Sequence, residues 1–124
     1  MSEKRMNFLR ARIKAFSDAG RGIYDLFHGE VHAKIHLFAT VCVLIAGILC
    51  HISAPEWCVI IICIGGVLTA EGFNTAIEKL ADKIECRYDP LIGKVKDIAA
   101  GAVLLFVMAA VAVGLIIFLP KFLS

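Results

Sequence analysis

Between Ile35 and Ala54 the chain runs for 20 residues without a Lys, Arg, Asp or Glu. As a helix rising about 1.5 Å per residue, this stretch reaches about 30 Å, one hydrocarbon core of a bilayer. It is too long, and begins too far from Met1, for the apolar core of a signal peptide. Pro55 and Glu56 interrupt the pattern. Trp57–Ala70 is again apolar but has only 14 residues, too few to span alone. No proline follows it before Asp89, so helical composition continues to about Ile84. One helix over 57–84 would measure about 42 Å, a full span that protrudes past the headgroups. Ile98–Leu119 gives a third apolar run of 22 residues, ending at Pro120. The expected fold is therefore an all-α integral membrane domain over 1–124. It has three transmembrane helices (35–54, 57–84 and 98–119), the second extending into water, and a surface segment over 1–34.

Charge supplies the orientation. Residues 1–34 carry seven Lys/Arg and four Asp/Glu, residues 35–70 carry Glu56 alone, and residues 98–124 carry Lys121 alone. The stretch 71–97 holds five basic and six acidic residues. Short cytoplasmic loops are rich in Lys and Arg, which places the N-terminus and the 79–97 loop in the cytoplasm. The turn at 55–56 and the C-terminus then face outward. In the N-terminal segment Leu9, Ile13, Phe16, Ile23 and Phe27 recur at helical spacings, with Arg10, Arg12, Lys14, Arg21 and Asp25 between them. That pattern reads as a basic amphipathic helix along the cytoplasmic interface.

A formal charge of +2, with no basic stripe and interleaved aromatics, excludes a nucleic-acid partner. The 60% hydrophobic content excludes disorder, and 124 residues exclude a large multidomain enzyme. Cys42, Cys50, Cys58, Cys63 and Cys86 form no C-x-x-C pair, and an odd count argues against a disulfide framework. Four of them sit in apolar stretches, where free Cys packs as a small hydrophobe. The phosphate loop, the dinucleotide glycine motif, the soluble-kinase signatures and the G-x-S-x-G nucleophile are all absent. A nucleotide site here would have to be built from carboxylates, metal and basic side chains.

The polar residues that need a reason begin at Glu71. At 100° per residue, Glu71, Asn74, Glu78 and Asp82 fall within about 80° of one another on one face of the second helix. Glu71 lies at or just inside the cytoplasmic boundary, where a carboxylate is costly and marks a functional site by default. Asp82, and partly Glu78, are accounted for by a solvated face. Glu71 and Asn74 follow the apolar run directly and are not. Glu71 and Glu78 are about 10.5 Å apart along the axis, too far to share one hard cation easily. One of them would bind Mg²⁺ while the other acts as base on a substrate at the membrane surface. A second metal carboxylate must come from elsewhere, and Glu30, just before the first span, is the candidate. Mg²⁺ usually takes one or two carboxylates plus substrate phosphates. Lys94, Lys96 and Asp97 precede the third span, and charge alone reads them as a positive-inside anchor. His28, His32 and His36, spaced i, i+4, i+8, form a stripe if helical. With no further ligand clustered nearby they read as interfacial histidines. A proton or cation site in an ion-coupled transporter subunit is the non-enzymatic alternative for the Glu71 stripe.

The stretch Glu71-Gly-Phe-Asn-Thr-Ala-Ile-Glu78 resembles the E-x-x-N-[ST]-A-I-E signature of the prokaryotic diacylglycerol kinase family, small three-span lipid kinases. Ala15-Phe-Ser-Asp-Ala-Gly-Arg-Gly-Ile23 resembles the family's surface helix, and Glu30 with Lys34-Ile-His36 its E-x-x-x-[RK] element. Asp82 and Lys96-Asp97-Ile-Ala-Ala-Gly-Ala-Val103 also fall in register, so the resemblance covers nearly the whole chain. It implies a homotrimer with active sites between subunits, transferring the γ-phosphate of ATP to a membrane lipid alcohol, diacylglycerol or undecaprenol, in a bacterial inner membrane. Residue by residue, it implies Glu71 as general base, Asn74 as a residue that orients Glu71 or the substrate, and Glu30 and Glu78 as the Mg²⁺ carboxylates. Arg87, Tyr88, Asp89, Lys96 and Asp97 join Glu30 and Glu78 as ATP contacts. Lys14 and Ala100 join Glu71 at the lipid substrate. Ala11 stands where relatives of the enterobacterial type carry Arg, and Ala100 where they carry Ser. The wording N-T-A-I-E and K-D-I-A-A-G-A-V is closer to the undecaprenol kinase branch.

Overall fold

The computed structural model describes residues 2–124; Met1, the first residue of the predicted surface segment, lies outside them. The described chain is four helices in sequence: α1 (Glu3–Gly29), α2 (Val31–Leu49), α3 (Ala54–Ile84) and α4 (Pro90–Leu123). The last three are long and apolar enough to cross a membrane. α3 packs along α4 over most of its length, α2 lies against α3, and α1 touches both α2 and α3.

Three of the four helices, α1, α3 and α4, begin where the sequence offers a side-chain cap for unpaired N–H groups, whereas α2 starts after Glu30 without one. The Ser2 hydroxyl accepts from the Arg5 N–H at 3.3 Å to start α1. Ser53 and Glu56 form a reciprocal capping box at the start of α3, with Pro55 in its first turn. The helix therefore begins at Ala54, because Pro55 lacks an N–H that the first turn would leave unpaired anyway. Asp89 accepts from the N–H groups of Leu91 and Ile92 at 2.9 and 3.1 Å. With Pro90 behind this cap, α4 starts at Pro90, well before the apolar run, and it continues through Pro120 to Leu123. Between α1 and α2 only Glu30 is extended, with φ −114° and ψ 125°. His28 therefore lies on a different helix from His32 and His36, and the three make no continuous stripe.

α1 buries none of its residues, and Ile13, Phe16 and Ile23 are exposed along its apolar side. That is the surface helix expected of the N-terminal segment, its apolar stripe left for a bilayer interface. Among the described residues, the packed core cluster is Ile52, Ile60, Ile117 and Phe118, where the α2–α3 turn meets the far end of α4. Lys121 closes the same end from 3.5 Å on Glu56. Midway along the α3–α4 contact, a Cβ on Gly66 would stand 1.9 Å from the Phe106 ring. The helices approach that closely because position 66 has no side chain. Gly66→Ala is expected to lower stability by about 1–3 kcal/mol through overpacking. Thermal unfolding in detergent should show the loss, and adding Phe106→Ala should reverse part of it. An unchanged midpoint for Gly66→Ala would remove Gly66 as the contact that sets helix spacing.

Candidate active site

Among the described residues, the buried polar side chains are Glu71, Asn74 and Thr75, all within little more than one turn of α3. The turn follows the apolar half of the helix without a break, since nothing in 54–84 after Pro55 interrupts helical hydrogen bonding. Glu71 is 4% exposed, so its carboxylate depends on neighbours rather than water. Its ionic neighbour is His36, whose Nε2 stands 3.5 Å from Oε2. The His36 backbone carbonyl accepts from the Thr40 hydroxyl at 2.8 Å, one turn along α2. Asn74 Oδ1 is buried and accepts no hydrogen bond from the chain. A buried acceptor left unpaired costs about 1–3 kcal/mol, a cost that persists where function keeps the group free.

The remaining predicted residues divide by exposure. Glu78 is half-buried on the turn beyond Asn74, and Glu30 is half-buried at the α1–α2 joint. Arg87 and Tyr88 project from the α3–α4 loop, Tyr88 91% exposed, while Asp89 caps α4 with one of its oxygens. Lys96 pairs with Asp82, tying the first turns of α4 to the end of α3. Asp97 and Ala100 are exposed. Lys14 is exposed and held by Asp18 at 3.1 Å, a pair local to α1. One chain thus gathers Glu71, Asn74 and His36 in one place and Lys96 and Asp82 in another. Among the described residues, no three His, Cys, Asp or Glu side chains converge as a metal site. His28 instead stacks on Tyr24 with ring centroids 4.0 Å apart, and its Nε2 meets the tyrosine hydroxyl at 3.0 Å.

His36 was not singled out from the sequence as a partner of Glu71. The two residues sit on different helices, and no local spacing relates them. The signal available was only its place in Lys34-Ile-His36 next to Glu30. Beside the site, Gly72 and Thr75 line an apolar groove of about 990 Å³ between α1 and α3, walled by Ile23, Leu26, Leu68 and Phe73.

The site's motifs have counterparts in known proteins. A family model described as prokaryotic diacylglycerol kinase matches residues 17–118. The undecaprenol kinase of Bacillus subtilis is 42% identical over 120 residues, covering 97% of this chain and 98% of its own. The diacylglycerol kinase of Synechocystis sp. is 37% identical over 111 residues, covering 89% of this chain and 63% of its own.

Lys96 lies ahead of the apolar run of α4. The hydrogen bond it donates to the Asp82 carboxylate raises its pKa, against a smaller opposing effect of desolvation. A raised lysine pKa stabilises the fold fully below the ordinary lysine value and ceases to do so as pH rises through the folded-state value. The pair's contribution should therefore be present at neutral pH and fade above about pH 10. Thermal midpoints measured across that window should show a smaller alkaline loss in Asp82→Asn than in the wild type. Parallel curves for the two proteins would mean that the pair contributes nothing.

Proposed function

The chain belongs to the prokaryotic diacylglycerol kinase family, and from that premise we propose that it transfers the γ-phosphate of ATP to undecaprenol, with Mg²⁺, at the cytoplasmic face of the bacterial inner membrane. One observation carries the reading: the chain's buried carboxylate and buried amide, Glu71 and Asn74, share one turn at the water end of an apolar helix. Undecaprenol is preferred to diacylglycerol because the similarity to the undecaprenol kinase is higher and runs the full length of both chains. The ion-coupled transporter reading loses support for the same reason, since both relatives are named as kinases.

The residues fit these roles chemically. Phosphoryl transfer asks for positioning and charge neutralisation more than covalent chemistry. Glu71 accepts the proton of the lipid hydroxyl as phosphate is transferred, and a positioned base of this kind contributes about 10²–10⁴-fold. Asn74, its Oδ1 free of other partners, orients that hydroxyl or the carboxylate. Glu30 and Glu78 carry the hard oxygen donors that Mg²⁺ prefers and would hold the ion, which would supply charge neutralisation at the nucleotide. Lys96 and Asp97, with the loop residues Arg87, Tyr88 and Asp89, face the nucleotide. The apolar groove between α1 and α3 takes the lipid chain, with Lys14 and Ala100 toward the headgroup. We further propose a homotrimer in which Glu30 of one chain serves α3 of another, with the N-terminus cytoplasmic and the C-terminus outside.

The test is radiolabelled phosphate transfer in mixed micelles with Mg·ATP and undecaprenol, diacylglycerol or ceramide offered separately. Label is expected in undecaprenol above the others. Glu71→Gln should lose at least about 100-fold of the transfer rate while still binding ATP. Glu78→Ala should lose Mg·ATP binding. No label in any lipid from folded protein that also fails to bind ATP would overturn the kinase reading. Confirmed mixed trimers of Glu30→Ala and Glu71→Gln subunits should recover activity, and none would place each site within one chain.

A further inference from the structure

We propose that His36 is a positioning residue for Glu71 that also carries away the proton the carboxylate accepts. This rests on the lipid-kinase reading and adds to it a route for that proton. A base that is protonated at every turnover has to be emptied before the next. A carboxylate in open water empties by direct exchange, but the Glu71 side chain is 5% exposed and has little access to solvent. His36 stands between the two, its side chain 21% exposed and its Nε2 3.5 Å from Glu71 Oε2.

Among the described residues, no other group offers that path. Among the described residues, His36 is the one basic side chain within 4.0 Å of the Glu71 carboxylate, and the remaining ion pairs involve other residues. Other charged groups at this end include Asp25 on α1, Glu30, His32 and Lys34 at the start of α2, Glu78, Lys79 and Asp82 on α3, and Lys96 and Asp97 on α4. None of them pairs with Glu71 or His36. Asn74 lies one turn away, but an amide side chain neither gains nor loses a proton near neutral pH. Imidazole does both, at two nitrogens on opposite edges of one ring.

The step balances within these two residues and water. After transfer, the Glu71 carboxyl O–H bond breaks and its proton joins the lone pair of Nε2 on the neutral imidazole. Glu71 is again a carboxylate and His36 an imidazolium, an ion pair held together by the charge just separated. The ring then releases a proton to interfacial water and returns to its neutral form. A gap of 3.5 Å is longer than a strong hydrogen bond, and such contacts close when the substrate is bound. The same contact fixes which way the carboxylate points before transfer, so loss of His36 acts on turnover rather than on substrate binding.

The experiment compares wild type, His36→Gln, His36→Ala and Glu71→Gln for kcat and KM, with Mg·ATP and the lipid that accepts label. Gln can hold Oε2 but cannot carry a proton. His36→Gln is expected to lose about tenfold or more in kcat, with both KM values within about twofold of wild type. His36→Ala should show the same loss, and added imidazole should restore its rate at least about threefold while leaving Glu71→Gln inactive. Circular dichroism and ATP binding confirm the folded state, and His36→Gln carries the test alone if His36→Ala does not fold. A kcat within about twofold of wild type in His36→Gln would overturn the proposal. So would loss of activity in His36→Ala without imidazole rescue, which would leave His36 a packing role only. A wild-type protein that transfers no phosphate would instead overturn the kinase reading beneath it.

Discussion

Hydrocarbon offers a peptide group no hydrogen-bond partner, and the shape of this chain follows from that absence. Each apolar segment has to satisfy its own backbone, so three of the four helices run unbroken through the length of a span. Breaks are confined to places where water or a capping side chain can serve the exposed groups. These are Glu30, the 50–53 turn and the 85–89 loop. Every polar side chain with chemical work to do is consequently displaced to one end of the helices. Glu71 and Asn74 are buried on α3 just past its apolar half, and Glu30, Asp82 and Lys96 lie nearer the helix ends.

The two ends are built differently. One end has the packed cluster around Ile60 and Phe118, the Ser53–Glu56 capping box and Lys121 on Glu56. At the Glu71 end α1 buries nothing, Tyr88 stands in the open, and the pairs that join two different helices are His36–Glu71 and Lys96–Asp82. Regions that admit and release ligands are drawn from the less protected parts of a fold, and here the division follows the helix axis. The tight seam of Gly66 against Phe106 separates the two regimes and fixes the spacing of α3 and α4 below it.

Much of this was legible in the residues themselves. Long runs without charge gave three spanning helices, and the 3.6-residue rhythm from Leu9 to Phe27 gave the surface helix. The Glu71–Glu78 stretch gave both the family and the face that carries the buried polar groups. Helix ends were read less well, for a physical reason. Pro55 and Glu56 read as an interruption, whereas Ser53-Ala-Pro-Glu56 is a helix start whose cap requires them. Asp89-Pro90 is another, and it lengthens α4 ahead of its apolar part. Histidines at i, i+4 and i+8 suggested one stripe, but a single extended residue at Glu30 splits it between two helices. The contact between His36 and Glu71 depends on how α2 lies against α3. Nothing in either helix taken alone specifies it.

The groove between α1 and α3 has a consequence for how the protein meets its acceptor. Its walls include Ile23 and Phe73, both largely uncovered, and α1 turns an unburied apolar stripe toward the same interface. On the proposed reading, a lipid that enters this groove never leaves the bilayer. It drifts in sideways, chain first, with its hydroxyl kept at the level of Glu71 by the headgroup region. The quantity that sets occupancy is then the number of acceptor molecules per lipid in the surrounding leaflet. Diluting the aqueous phase leaves it untouched, and crowding the membrane with inert lipid lowers it. On that reading the bilayer would supply the missing wall of the site, and its composition would act on the protein as directly as a change in the groove's own side chains.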